Sequence, residues 1–244
     1  MKILFVGPTL HGEARDGRLN DAPDILCRGP AAQGDVASAV LDGATAIGLI
    51  DGRYENVASP WHKELLFALS EGVCVLGAGS LGALRAAECA AFGMIGVGVI
   101  FVRYLSGAMV DDSDVAQLHG PAEMDYLPLT EALVNIEETF RVLVQRGLLD
   151  AQRSAHLCAV ARTIFFKDLT FDAVIERARL AGDGGAELRA LVDRHRVDLK
   201  RMDARLLVVR MRQLPPRRDT TRHAWTMAEP SNWRRQIDRL KGLR

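Results

Sequence analysis

Between Ala46 and Phe101 the chain reads AIGLIDGRYENVASPWHKELLFALSEGVCVLGAGSLGALRAAECAAFGMIGVGVIF, and this stretch leaves few folds open. Short, continuously apolar runs alternate with longer runs of helical spacing. Continuous apolar runs are what strands buried on both faces require. Strands separated by helix-length segments pair in parallel through right-handed crossovers. The expected fold is therefore α/β: a mostly parallel sheet with flanking helices, Rossmann-like, followed by a helical C-terminal region.

Read along the chain, Lys2–Val6 forms a first buried strand that Gly7-Pro8 breaks. Residues 10–23 are polar and read as an exposed loop. Asp24–Arg28 reads as a short second strand, and Asp35 as the N-cap of a helix reaching about Leu41. Ala46–Ile50 is a third strand. Ser59 and Pro60 read as N-cap and first helical residue of the next helix, which Gly72 ends. Val73–Gly77 is a fourth strand, Ser80–Ala91 a helix, and Val97–Tyr104 a fifth strand. Beyond residue 120 only helical patterns recur. Thr130 caps a helix to Gln145 whose Leu133, Ile136, Phe140 and Leu143 share a face. Ala151–Ile164, Thr170–Ala181, Glu187–His195 and Val197–Arg212 follow. The division expected is an α/β catalytic domain over 1–122, a helical region suited to partner docking over 123–214, and a basic, flexible tail of little apolar periodicity over 215–244.

Composition narrows the function. With 31 basic and 31 acidic residues the net charge is zero, so no global field favours nucleic acid or an anionic membrane as partner. No apolar run reaches membrane-spanning length, and the N-terminal residues read as a strand without the h-region expected of a signal peptide. The four cysteines, Cys27, Cys74, Cys89 and Cys158, form no C-x-x-C pair or zinc spacing, a usage that suits a reducing cytoplasm.

The polar residues gather where strands end. Asp51 follows the third strand, which puts it on the same sheet edge as Ser80 and the Gly7-Pro8-Thr9 turn; an Asp-Gly turn is the plainer account of it. Gly77–Gly82 matches G-x-G-x-x-G, but it follows the fourth strand and no acidic residue ends the next one, as a dinucleotide site needs. The same residues form a small-x-Ser-x-Gly turn around Ser80, like a loosened nucleophile elbow. Such a turn lifts the hydroxyl from the sheet and aims the N–H groups of Leu81 and Gly82 at an oxyanion. The competing role for Ser80 is simply to cap its helix. His62 and Lys63 open a helix, where the dipole disfavours a cation, so Lys63 is either a site residue or a solvated lysine paired with an acid. Arg85 and Glu88 share a face of the helix after Ser80 and form either a surface ion pair or a network around the site. Asp111-Asp112-Ser113-Asp114, with His119 beyond, has a positioning role or, less in keeping with its spacing, a metal-binding one.

These residues carry a resemblance to the TfuA-like family. It rests on FVGPTL at 5–10, QGD at 33–35, IGLIDGRYENV at 47–57, WHKELLFALSEGV at 61–73, GAGSLGALRAAECAAFGMIGVGVIF at 77–101 and DDSDVAQLH at 111–119. The chain departs from the family where Arg53 replaces a bulky aromatic residue and Gly79 a second serine, which leaves Ser80 the sole hydroxyl of its turn. The resemblance implies a partner of YcaO enzymes, which activate peptide amides with ATP. It also implies hydrolysis of the C-terminal thiocarboxylate of a ThiS-like sulfur carrier, releasing hydrosulfide for thioamide formation. No cofactor or metal is expected. On this reading Ser80 attacks, Lys63 or His62 takes its proton, Lys63 and Arg85 neutralise the thiocarboxylate, and Asp51 and Glu88 orient the cations or activate water. Gly7, Pro8, Thr9, Gly79, Leu81, Gly82 and His119 are expected to contact substrate. Self-association is left open. Two other functions remain: an adaptor that docks carrier and YcaO enzyme without catalysis, and a nucleotide-binding protein using Gly77–Gly82.

Overall fold

The computed structural model describes residues 1–13, 24–53, 57–180, 184–221 and 224–242. The loop expected over 10–23 thus lies from residue 14 onward outside the described residues. Strands β1 (Lys2–Phe5), β2 (Ile25–Arg28), β3 (Ala46–Leu49), β4 (Cys74–Gly77) and β5 (Ile95–Gly96) form one sheet in the order β2-β1-β3-β4-β5. Every pairing is parallel. The order reverses between β1 and β3, so the chain leaves the carboxyl ends of these two strands in opposite directions and opens a crevice there.

Side chains alternate across the sheet and divide its core in two. Ile3, Phe5, Ile47, Leu49 and Val75 face α1 (Asp35–Leu41), α2 (His62–Ser70) and α3 (Leu81–Cys89). Leu4, Val6, Ile50 and Leu76 face the opposite way, onto Ala204, Leu207, Val208 and Met211 of α9. Before α9 (Leu199–Gln213) come α4 (Val99–Leu105), α5 (Leu133–Gln145), α6 (Ala151–Arg162), α7 (Phe171–Arg177) and α8 (Gly184–His195). Helices α5 to α8 enclose a core of their own around Phe140, Leu143, Leu157 and Val174.

The parallel sheet and the helical region agree with the sequence reading; several boundaries do not. Val97–Tyr104, expected as a strand, is mostly helix α4, and the fifth strand is only the two residues before it. A continuous apolar run does not distinguish a strand from a buried helix. What settles it is remote: the Asp203 carboxylate on α9 accepts from the N–H groups of Val99 (3.0 Å) and Ile100 (2.8 Å) and so caps α4. Ser59 does not cap α2, which starts at His62. Its hydroxyl donates to Arg53 O, and the fully buried Glu64 instead accepts from the N–H groups of Trp61, Gly34 and Ala37. Asp35 is the first residue of α1 rather than its cap, and its carboxylate accepts from Ala32 N–H. Thr130 accepts from Leu118 N–H, and α5 begins three residues later. Within 215–244, Ser231–Gly242 forms α10, which seats Trp233 and Ile237 against Ala37 of α1.

Candidate functional site

The turn between β4 and α3 is the most constrained part of the site. Ser80 N–H donates to Ala78 O at 2.7 Å, closing a γ-turn around Gly79, whose φ of +72° suits glycine. Gly82 lies so close under β3 that a Cβ there would stand 1.8 Å from Leu49 O. The pinched turn holds Ser80 at the N-cap of α3, yet its side chain makes no cap hydrogen bond. The plain capping role is therefore not the one Ser80 plays, and its hydroxyl has no partner among the described residues. It opens on a cavity of about 450 Å³.

One face of α3 runs along that cavity. Leu81, Leu84, Arg85 and Glu88, at i, i+3, i+4 and i+7, line it with Ser80, Gly52 and Ser59 on one side and Asp111, Asp112, Val115 and Ala116 on the other. Arg85, 15% exposed, donates from Nη1 to Glu88 Oε2 at 2.6 Å, while its buried Nε has no partner. His62 Nε2 meets the same Glu88 oxygen at 2.8 Å. Burial pushes the Glu88 pKa up, but the hydrogen bonds from His62 and Arg85 outweigh it and hold the carboxyl below its ordinary value. The Arg85 guanidinium thus lines the cavity beside a carboxylate that keeps it in place. Asp111 and Asp112 are exposed at the rim, and the Asp111 carboxylate accepts from Ser113 N–H.

The N–H groups of the turn divide unequally. Gly82 N–H donates to Ile50 O at 3.0 Å and Ala83 N–H to Ser80 O at 2.9 Å. Of the two N–H groups expected to face an oxyanion, only that of Leu81 lacks a partner among the described residues. The same count weakens the phosphate-loop reading of Gly77–Gly82, since cradling a phosphate takes several N–H groups pointing outward.

The other expected site residues are distributed around this cavity rather than in it. Asp51, 3% exposed, accepts from Gly7 N–H (2.8 Å), Thr9 N–H (3.1 Å) and Thr9 Oγ1 (2.6 Å). It latches the β1 turn to the end of β3, so the convergence expected from sequence is present but is a bolt across the crevice. Pro8 and Thr9 line a second cavity, of about 330 Å³, with Gln117, Arg196 and Arg201. Lys63 points its ammonium at Ala228 O, 2.7 Å away in the C-terminal segment. His119 bonds Gly120 O and lies edge-on to Tyr126, away from Ser80. Ser80 and Glu88 are eight residues apart, about 12 Å along the helix axis. The imidazole held by Glu88 is therefore at the far end of the cavity from the hydroxyl.

Lys200 is the site residue that sequence reading missed. It is 1% exposed, and its Nζ donates to Val115 O and Gln117 Oε1, each at 2.7 Å. Val115 lines the Ser80 cavity and Gln117 the second one, so the ammonium sits in the partition between them. The Lys200 carbonyl also packs on Gly79. Burial drives the Lys200 pKa down against the attraction of Asp51, Asp198 and Glu131. A signal existed: Lys200 occupies the apolar stripe that continues through Ala204, Leu207, Val208 and Met211, where a lysine is out of place.

Comparison with protein families decides the affiliation. The family model described as TfuA-like protein matches residues 51–170, from the latch aspartate through the Ser80 turn and the cavity wall to the cap of α7. The chain belongs to the TfuA-like family. A comparison with curated proteins gives no match. The matched segment of this TfuA-like protein supplies every residue that lines the Ser80 cavity. Lys200 and Asp203 lie beyond it, on α9, and close the site from outside the matched region. Among the described residues no group of three metal-ligating side chains occurs, and no helix is long and apolar enough to cross a membrane.

Proposed function

We propose that this TfuA-like protein hydrolyses the C-terminal thiocarboxylate of a ThiS-like sulfur-carrier protein, supplying hydrosulfide to a YcaO enzyme for thioamide formation. One observation carries the reading: a serine without a hydrogen-bond partner, held on a glycine-pinched turn, opens on the same cavity as an arginine fixed by Glu88. A thiocarboxylate is anionic and resists attack until its charge is offset. Arg85, held by Glu88 and His62, offsets it. Ser80 Oγ bonds to the thioacid carbon while Leu81 N–H and the α3 N-terminus stabilise the oxyanion. The C–S bond then breaks and hydrosulfide leaves, which calls for little general acid. Water cleaves the acyl-serine, giving a carboxylate and returning the hydroxyl. No side-chain base is hydrogen-bonded to Ser80 among the described residues, so in this scheme the serine proton passes to the thiocarboxylate sulfur. His62 acts through Glu88, and Lys63, bonded to Ala228 O, takes no part in the scheme. Asp51 keeps the crevice shut beside the cavity.

The test is hydrosulfide release from a thiocarboxylated ThiS-like carrier in the absence of any YcaO enzyme. Ser80→Ala is expected to lower turnover by about three orders of magnitude or more with the fold intact. Full activity of that variant would replace the acyl-enzyme by direct attack of water. No release by the wild type, with the carrier still bound, would make the protein an adaptor.

A further inference from the structure

A further cavity, of about 590 Å³, lies away from Ser80. It lies between the first turn of α1 at Gly34, the start of α2 at Trp61, and one face of α10. That face presents Arg235, Gln236 and Arg239, which fall at i, i+1 and i+4. Arg235 and Arg239 are exposed and form no ion pair among the described residues. Gln236 Oε1 is buried without a partner. The carboxylates beside the groove are turned away from it: Glu64 is bound by three backbone N–H groups and Asp35 by one. The groove is therefore positive although the whole chain is neutral. The chain links it to the wall of the Ser80 cavity. Trp61 is followed directly by His62, whose ring is bonded to Glu88 of the cavity wall.

We propose that this groove docks an acidic surface of the protein whose C-terminal tail enters the Ser80 cavity, an inference that rests on the hydrolase reading. Charge complementarity selects the occupant. Two unpaired guanidinium groups one helical turn apart favour carboxylates, and the exposed Asp111 and Asp112 at the opposite rim repel them. An acidic carrier is thereby drawn to the α10 side of the cavity and turned away from the other, which fixes the direction from which its tail arrives. Trp61 offers apolar area at the edge of the contact.

The test compares wild type with Arg235→Glu/Arg239→Glu on two substrates: a thiocarboxylated ThiS-like carrier, and a thiocarboxylated peptide of its last residues ending in Gly-Gly. The expected result is a rise in KM for the carrier of about tenfold or more at unchanged kcat, a flattened salt dependence, and no change on the peptide. Unchanged kinetics on the carrier overturn the proposal. Equal losses on carrier and peptide overturn it as well, because the arginines then serve the fold and not docking. Carrier affinity is measured calorimetrically alongside. If the wild type hydrolyses neither substrate, the hydrolase reading fails alone: carrier binding lost in the double variant still supports the groove, and binding retained overturns it.

Discussion

Truncating Asp51 to alanine is expected to cost the fold about 3–5 kcal/mol. The carboxylate is buried and accepts three donors, Gly7 N–H, Thr9 N–H and Thr9 Oγ1, at 2.6–3.1 Å. Hydrogen bonds to charged groups contribute roughly 1.5–3 kcal/mol each, and a buried donor left without a partner costs about 1–3 kcal/mol. The three donors lie in one loop that shifts as a unit, so the terms do not add in full; the range given allows for that relaxation. Against a total stability of about 5–15 kcal/mol the loss is large. Asp51→Asn separates shape from charge. Its oxygen can still accept from Gly7 and Thr9 N–H while its amide donates to a rotated Thr9 hydroxyl, for a cost of about 1–2 kcal/mol. Urea unfolding followed by circular dichroism reads both variants as shifts of midpoint at constant slope. An alanine variant within about 0.5 kcal/mol of wild type would refute the latch and return Asp51 to the list of candidate catalytic acids.

Two substitutions test how the site is supported. Gly82→Ala places a Cβ 1.8 Å from Leu49 O and should lower stability by about 1–3 kcal/mol while displacing Ser80, so melting temperature and hydrosulfide release fall together. Lys200 has a folded pKa below its unfolded 10.5, so between the two values the unfolded chain binds more protons and stability rises with pH. In Lys200→Met that rise should vanish from denaturation midpoints measured up to pH 10.5; an unaltered slope would show that the ammonium is not the group responsible.

The sheet was legible because its signals are local. Each of the first four strands is a short apolar run that ends at a turn residue, and helices α1, α2 and α3 begin within three residues of their expected starts. The errors have a common cause. Residues 97–104 are as apolar as a strand, and their helical state depends on Asp203, more than a hundred residues away. The tail hid α10 because only two of its residues, Trp233 and Ile237, are buried. A helix held by two apolar anchors leaves too thin a stripe to read against four cationic neighbours on the same twelve residues.

The site was legible to the same extent, and for the same reason. Ser80, Arg85 and Glu88 are placed by one turn and one helix, so their spacing alone brought them together. Asp51 and Thr9 were rightly placed at one sheet edge, but spacing could not show that they bind each other. What distinguishes a latch from a catalytic group is whether donors fill its lone pairs, and those donors come from another strand's loop. The partition is still less local. Helix α9 packs its apolar stripe on the free face of the sheet, sets Lys200 between the two cavities, rests its carbonyl on Gly79, and caps α4 through Asp203. The Ser80 turn therefore takes its strain from β4 and α3 but its rigidity from a helix beyond the family-matched segment. A chain cut after residue 170 would keep every side chain that lines the cavity and lose the partition that shapes it.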